Sequence, residues 1–182
     1  MSATIQSLAP DFTFTDPHGE PVQLSDLWSR STTGIVLVFL RHFGCMFCKD
    51  HASQLRDAYP EFQKRGWDIV AVGQGTARRS ALFQADNELP FTVLGNRELG
   101  SYSRYGLQRG AVSNFLKPGL YAAGLRSVVR GNLPGKPDGD VSQDPGTFLI
   151  DPAGHLLRSH IGQHSGDFPS AAAILRWIDG TG

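Results

Sequence analysis

Cysteine is scarce in this sequence, and neither sign of charge is in excess. Only two of the 182 residues are cysteines, too few for the disulfide framework of a small secreted domain. The 17 basic residues balance the 17 acidic residues, so the formal net charge is zero. A neutral chain lacks the electrostatic attraction for nucleic acids that a strongly basic protein has. The length allows one domain with a full hydrophobic core over residues 1–182.

Long apolar runs and targeting signals are also missing. No apolar run approaches the roughly 18 residues that a membrane span needs. Residues 1–10 lack the basic and apolar regions of a secretory signal. We therefore expect a soluble, cytoplasmic protein that binds neither membrane nor nucleic acid.

Motifs for cofactors and metals are weak. The Gly-Gln-Gly stretch at residues 73–75 follows a predicted strand, but Arg78 stands where a dinucleotide fingerprint has its third glycine. On one strand, His155 and His160 would point to opposite faces, which argues against a shared metal ion. A tight turn and separate histidines account for these residues, so we expect neither a cofactor nor a metal.

The two cysteines, Cys45 and Cys48, stand at a predicted strand-to-helix junction. An apolar run at 35–40 predicts a buried strand, and a helical stripe that follows includes Cys48 and leaves Cys45 at the mouth of the helix. Positions i and i+3 of a helical start have Cα atoms roughly 5–6 Å apart, which suits a disulfide. The positive end of the helix favours a thiolate, and Arg41 and His42 add cationic help. The spacing therefore indicates a dithiol that cycles with a disulfide.

The spacing of the cysteine pair is also compatible with two structural roles. Two buried structural thiols would be inert and would need no partner. A structural zinc site needs about four ligands, and only His42 and His51 could join the cysteines locally. The redox-active dithiol is the interpretation that also accounts for the position at a helix start.

Strand and helix patterns alternate along most of the chain. In order, they predict a hairpin over 8–24, a helical turn capped by Ser25 and running through Trp28, a strand at 35–40, a helix over 46–65, a strand at 67–72, a helix over 77–86, a strand at 91–94, a hairpin of strands 147–150 and 155–159, and a final helix starting near 168–170. Residues 100–145 are predicted to be an insertion that is helical over 114–130 and then forms a loop. This alternation predicts an α/β fold with parallel strand pairs and helices on both faces of a central sheet.

The segment 38–48, Val-Phe-Leu-Arg-His-Phe-Gly-Cys-Met-Phe-Cys, resembles the active-site segment of the alkyl hydroperoxide reductase/thiol-specific antioxidant (AhpC/TSA) group. More narrowly, it is similar to the peroxiredoxin-like branch that retains a C-x-x-C motif. Stretches at 9–27, 146–154 and 160–167 carry the same resemblance. It implies a thioredoxin-like fold with a mixed sheet, an N-terminal hairpin and an insertion at about 100–145, and it implies an antioxidant thiol oxidoreductase.

The sequence departs from the typical pattern of that group at three positions. Typical members carry P-x-x-x-T-x-x-C, in which the last cysteine attacks the peroxide. Aligned on Cys48, the proline position holds Arg41 and the threonine position holds Cys45. Typical members also have an arginine before the late strand, where this sequence has Pro145. We expect Arg41 to take over some of the electrostatic role of the missing arginine. Its neighbour His42, beside the dithiol, is a separate candidate for proton transfer.

Two catalytic schemes fit the same pair of cysteines. In a peroxidase scheme, Cys48 attacks the peroxide and becomes a sulfenic acid, which Cys45 resolves. In a thioredoxin scheme, Cys45 attacks a substrate disulfide and Cys48 releases the mixed disulfide. Both schemes end in a Cys45–Cys48 disulfide, which an external thiol reductant such as a thioredoxin or glutathione system would reduce.

The whole-chain resemblance favours a hydroperoxide substrate, with a protein disulfide as the alternative. A non-enzymatic, redox-responsive interaction protein is a further hypothesis, in which the dithiol would switch residues 100–145. The fold class often forms dimers through exposed edges and aromatic residues, so a homodimer is also expected.

Overall fold

The computed structural model describes residues 7–97, 99–109, 125, 128–129, 131, 135 and 139–180. In chain order the elements are β1 (Thr13–Thr15), β2 (Pro21–Gln23), α1 (Leu24–Arg30), β3 (Gly34–His42), α2 (Met46–Lys64), β4 (Trp67–Gln74), α3 (Ala77–Asp86), β5 (Thr92–Asn96), α4 (Gly100–Arg104), β6 (Gly146–Ile150), β7 (Leu156–Ile161) and α5 (Ala171–Asp179).

The strands form one seven-stranded sheet in the order β2-β1-β5-β4-β3-β6-β7. Strands β3, β4 and β5 pair in parallel, and the other neighbouring strands pair antiparallel. Helices α2 and α3 make the two crossovers that parallel neighbours require. The predicted α/β class with a mixed central sheet is confirmed.

Strand β3 lies at the centre of the sheet and is buried along its whole length. Val36 and Val38 pack on one face with apolar residues of α2, α3 and α5. Leu37 and Phe39 pack on the other face with apolar residues of α1 and α4. Helices on both faces explain why the strand is a continuous apolar run rather than an alternating one.

The short helix α1 differs from its prediction. It begins at Leu24 with Gln23 at the N-cap, so the assignment of Ser25 as the capping residue was wrong. The backbone N–H of Ser25 donates to a carboxylate oxygen of Asp11 at 2.9 Å. Because Asp11 satisfies this N–H from the preceding segment, the first turn needs no capping side chain of its own.

The remaining boundaries follow the predictions closely. Helix α3 has the predicted bounds, and the Oγ of Ser170 caps α5 by accepting the N–H of Ala173 at 3.2 Å. Strands β3 and β4 run two residues past their predicted ends, because the polar residues there remain paired within the sheet. The helix predicted over 114–130 lies almost wholly outside the described residues, and the single domain over 1–182 stays a prediction. Within the described ranges, none of the helices has both the length and the apolar character needed to cross a membrane.

Candidate active site

Cys45 and Cys48 lie where the carboxyl end of β3 leads into α2. Cys45 is the N-cap residue of α2, and its N–H donates to the carbonyl oxygen of His42 at 3.1 Å. Cys48 occupies the first turn, where its Sγ accepts the backbone N–H of Arg41 at 3.4 Å. Both are free thiols, and 5% of Cys45 and 0% of Cys48 is exposed. The predicted Cys45–Cys48 disulfide stays a prediction.

The surroundings of Cys45 stabilise a thiolate. A hydrogen bond from the Cys48 thiol and the positive charge of Arg41 lower the pKa of Cys45 to about 6, although burial acts in the opposite direction. The Nη1 atom of Arg41 lies 3.5 Å from the Sγ of Cys45. At neutral pH, Cys45 is therefore mainly the thiolate, which is the nucleophilic form of cysteine.

Cys48 has the opposite tendency. Burial, followed by its hydrogen bond to Cys45 and the negative charge there, raises the pKa of Cys48 well above its usual value. The positive charge of Arg41 offsets only part of this effect. Cys48 is thus a protonated thiol that donates to the Cys45 thiolate, and the two cysteines share one proton between unequal sites.

Arg41 is itself buried, so partners inside the protein decide where its guanidinium points. Its Nε donates to the carbonyl oxygen of Gln143 at 2.9 Å. Gln143 precedes β6 by three residues, close to Pro145, which occupies the position of the arginine in typical AhpC/TSA members. The structure therefore places the cation of Arg41 against the segment from which that arginine is missing.

His42, the fourth predicted site residue, is buried at the end of β3 in register with Gln74 of β4. Its carbonyl oxygen accepts the N–H of Cys45, so the backbone of His42 shapes the entry into α2. A role of its imidazole in proton transfer stays a prediction.

Tyr102 of α4 supports the site from the opposite face of the sheet. It is fully buried, and its hydroxyl donates to the carbonyl oxygen of Leu40 at 2.7 Å, close to the end of β3. Burial raises the pKa of Tyr102, so the hydroxyl remains a donor. Sequence analysis missed this residue because the spacing of apolar residues after position 100 follows no clear period.

His51 lies one helical turn beyond Cys48 on the covered face of α2. Its ring stacks on Phe168 with the centroids 4.4 Å apart, and among the described residues its Nε2 finds no hydrogen-bond partner. Burial, together with the nearby charge of His160, lowers the pKa of His51 to about 3. His51 is therefore a neutral imidazole in the core. Its position three residues after Cys48, on the same face of α2, is the sequence signal from which this burial could have been predicted.

Within the ranges that the structure describes, no three or more His, Cys, Asp or Glu side chains cluster in a way that could hold an ion. A thiolate at a helix start, with a second thiol in the first turn and a cation beside it, instead defines a thiol-dependent oxidoreductase on a thioredoxin-like sheet.

Comparison with known proteins also indicates a thiol-dependent oxidoreductase. The profile of the AhpC/TSA family matches residues 5–159, so the chain belongs to this family. Peroxiredoxin-like 2C from Bos taurus is 23% identical over 172 residues, covering 90% of this chain and 75% of that protein.

Two solved structures have a similar fold. The peroxidoxin BcpB from Mycobacterium tuberculosis superposes with a TM-score of 0.71 at 19% identity, covering 98% of this chain and 97% of the other. The putative thiol:disulfide interchange protein DsbE from Chlorobium tepidum superposes with a TM-score of 0.63 at 22% identity, covering 97% of this chain and 99% of the other. The predicted family, the thioredoxin-like fold and the class of thiol-dependent oxidoreductase are confirmed.

Proposed function

We propose that this protein is a thiol peroxidase in which Cys45, rather than Cys48, attacks the hydroperoxide. The observation that carries the proposal is the opposite effect of the site on its two thiols. The pKa of Cys45 is lowered to about 6, whereas the pKa of Cys48 is raised well above its usual value. The thiolate is the form of cysteine that attacks, so the reactive sulfur lies at the N-cap of α2.

The reaction then proceeds in two balanced steps. The Cys45 thiolate attacks one peroxide oxygen, the O–O bond breaks, and the alkoxide leaves and takes up a proton from water. Cys45 becomes a sulfenic acid. The sulfur of Cys48 then attacks the sulfur of Cys45, an S–S bond forms, and hydroxide leaves with the proton of Cys48 as water. An external dithiol returns both cysteines to the reduced state by disulfide exchange.

Arg41 is positioned to assist the first step. Its guanidinium lies beside the Cys45 sulfur, where a bound peroxide would sit, and it has donors that do not lose their protons in proteins. These donors stabilise the negative charge that develops on the leaving oxygen. This contribution replaces the arginine that the late strand lacks.

The burial of Cys45 favours a small substrate. Only 5% of the residue is exposed, which leaves room for approach by a peroxide but little for the two chains of a protein disulfide. The second candidate, a protein disulfide oxidoreductase, is favoured by the C-x-x-C spacing of the pair together with the same lowered pKa of Cys45. A C-x-x-C motif whose first cysteine has a lowered pKa is the arrangement that thiol–disulfide exchange uses.

Single-turnover oxidation by hydrogen peroxide tests the proposal. Reduced wild-type protein, Cys45→Ser and Cys48→Ser are mixed with peroxide, trapped with dimedone and measured by intact mass. We expect the wild type to form an internal disulfide, and Cys48→Ser to gain one dimedone adduct at Cys45. Cys45→Ser should remain unmodified on the same timescale.

The opposite result would assign the attack to Cys48. Slow oxidation of both variants, together with fast Cys45-dependent reduction of a model protein disulfide, would support the second candidate instead. Regeneration by a thioredoxin system or by glutathione identifies the class of reductant. The homodimer and the cytoplasmic location stay predictions, which light scattering and cell fractionation would test.

A further inference from the structure

Gln74, at the end of β4, makes an unusual pair of hydrogen bonds with the backbone of one distant residue. The side chain is buried, and its Oε1 accepts the N–H of Asp140 at 2.6 Å. Its Nε2 donates to the carbonyl oxygen of the same residue at 3.3 Å. The amide therefore holds Asp140 as a neighbouring β-strand would, by satisfying both of its backbone polar groups.

Asp140 begins a tight turn that leads to the active site. Its carbonyl oxygen also accepts the N–H of Gln143 at 3.2 Å. Its carboxylate accepts the N–H and the Oγ–H of Ser142 at 2.9 and 2.5 Å, which closes the turn from within. The turn thus links the position of Gln143 to that of Asp140.

Gln143 in turn orients the guanidinium of Arg41. Its carbonyl oxygen accepts the Nε–H of Arg41 at 2.9 Å, and the Nη1 on the other edge of the same guanidinium lies 3.5 Å from the Cys45 sulfur. A guanidinium is planar and rigid, so an anchored edge directs the opposite edge. We propose that Gln74 is a positioning residue that holds the turn at 140–143, and through it the Arg41 guanidinium, against the sulfur of Cys45. This inference rests on the proposed role of Cys45 as the attacking thiol.

The end of the turn is held separately by the carbonyl oxygen of Gln108, which accepts the side-chain amide of Gln143 at 3.1 Å and the N–H of Asp144 at 3.0 Å. The start of the turn is also contacted by an ion pair between Arg109 and Asp140. Its Nε and Oδ2 atoms are 2.7 Å apart, but the Arg109 side chain is 69% exposed. Exposed pairs of this kind contribute little to holding a backbone segment. The buried amide of Gln74 is therefore the main contact at the start of the turn, whereas Gln108 holds its end.

Gln74→Met tests the inference, because methionine keeps the length of the side chain and removes both hydrogen bonds. The readout is the pH dependence of iodoacetamide alkylation at Cys45. We expect the apparent thiol pKa to rise by about one unit, which lowers the alkylation rate at pH 6 about fivefold. Gly139→Ala should act in the same direction, because its new methyl group would lie 2.6 Å from the Oε1 and Cβ of Gln74.

Gln84→Met is the matched control. Gln84 lies on α3, away from the dithiol, and its amide donates to the carbonyl oxygen of Phe91 at 3.0 Å. This variant also loses a hydrogen bond to the backbone, so it should lose stability while the thiol pKa stays unchanged. Equal shifts in the two variants would show a general loosening of the fold and overturn the inference.

A double variant shows whether the effect passes through Arg41. In an Arg41→Met background, Gln74→Met should produce no further shift of the thiol pKa. An undiminished shift in that background, or no shift in the wild-type background, would overturn the inference. Alkylation consumes no peroxide, so these outcomes are independent of whether the chain turns over hydroperoxides.

Discussion

Cys45 and Cys48 lie within one helical turn and are both buried, yet their chemistry differs sharply. The pKa of Cys45 falls to about 6, whereas the pKa of Cys48 rises well above its usual value. Burial raises the pKa of both thiols, so burial alone does not separate them. The difference comes from the donors that point at each sulfur, because Cys45 receives the Cys48 thiol and the Arg41 guanidinium.

The two sides of the site are built from different material. Cys45 borders the apolar core but also faces hydrogen-bonded polar groups contributed by the ends of β3 and β4 and by the turn at 140–143. The side of Cys48 consists of the apolar core under α2, with His51 one turn further on. The variants below separate the contributions of the two sides to reactivity and to stability.

Acid should destabilise the side of Cys48 first, through His51. Burial lowers the pKa of His51 from 6.5 to about 3, so between these values the unfolded chain binds a proton that the folded chain does not. The contribution of His51 is complete above pH 6.5 and is lost as the pH falls, by about 1.4 kcal/mol per pH unit. Urea unfolding between pH 7 and pH 4 measures this slope.

His51→Phe keeps the stacking on Phe168 and removes the titrating group. Its free energy of unfolding should depend less steeply on pH than that of the wild type, with the largest difference near pH 4. The ion pair of His160 with Asp167 is present in both proteins, so its pH dependence cancels in the comparison. Parallel pH curves for the two proteins would contradict the prediction.

Arg41→Met should make Cys45 much less reactive. The charge and the donor beside the Cys45 sulfur both leave, so the thiol pKa should rise and alkylation at pH 6 should slow about tenfold. Arg30→Met is the control, because Arg30 is exposed on α1 near the opposite end of β3, roughly 30 Å away for a nine-residue strand. Equal slowing in both variants would show that net charge, rather than the local guanidinium, sets the reactivity.

A comparison of Cys48→Ser with Cys48→Ala would show how much of the Cys45 pKa comes from its neighbour. Serine keeps a hydroxyl donor near the position of the thiol, whereas alanine removes the donor, which is the largest cause of the lowered pKa of Cys45. We expect alkylation of Cys45 at pH 6 to be about fivefold slower in the alanine variant and closer to the wild-type rate in the serine variant. Wild-type rates in both variants would assign the lowered pKa to Arg41 and to the backbone N–H of Cys48, without the Cys48 thiol.

Tyr102→Phe should have the smallest effect and should affect stability rather than reactivity. It leaves the carbonyl oxygen of Leu40 without its partner at 2.7 Å, which should cost about 1 to 2 kcal/mol in the free energy of unfolding. Alkylation of Cys45 should keep its pH profile, because Tyr102 lies on the opposite face of the sheet. A shifted profile would mean that the end of β3 moves with the tyrosine.

The features of the fold and the site that could be predicted from the sequence are those encoded by local patterns of residues. The buried run of β3, the helical stripe of α2 and the pair Cys45–Cys48 are local patterns, and the structure places them as expected. The family resemblance also suggested Arg41 as the substitute cation, and this role stays a prediction. Neither source could predict that Gln143 and Gln74 hold Arg41, because pairing between distant segments leaves no local pattern.

The N-terminus of α1 illustrates the same limit at small scale. Ser25 has the residue type and position of a capping residue, but Asp11, fourteen residues earlier, binds its N–H. Local propensity made Ser25 a possible cap, but a tertiary contact determined how the first turn of α1 is satisfied. His51 was one of the two histidines near enough in sequence to join a zinc site, an interpretation that the sequence disfavoured, and the structure stacks its ring on Phe168 in the core.

The contact between Arg41 and Gln143 joins residues that are 102 positions apart. Strands β3 and β4 pair across one helix, whereas β3 and β6 pair only after this much longer stretch of chain has been brought together. Contacts between segments distant in sequence form late, because the chain must close a large loop first. We therefore expect a refolding chain to acquire its alkylation-sensitive Cys45 only in the last phase. A nascent chain would then keep both thiols in their ordinary, less reactive form until the fold is complete.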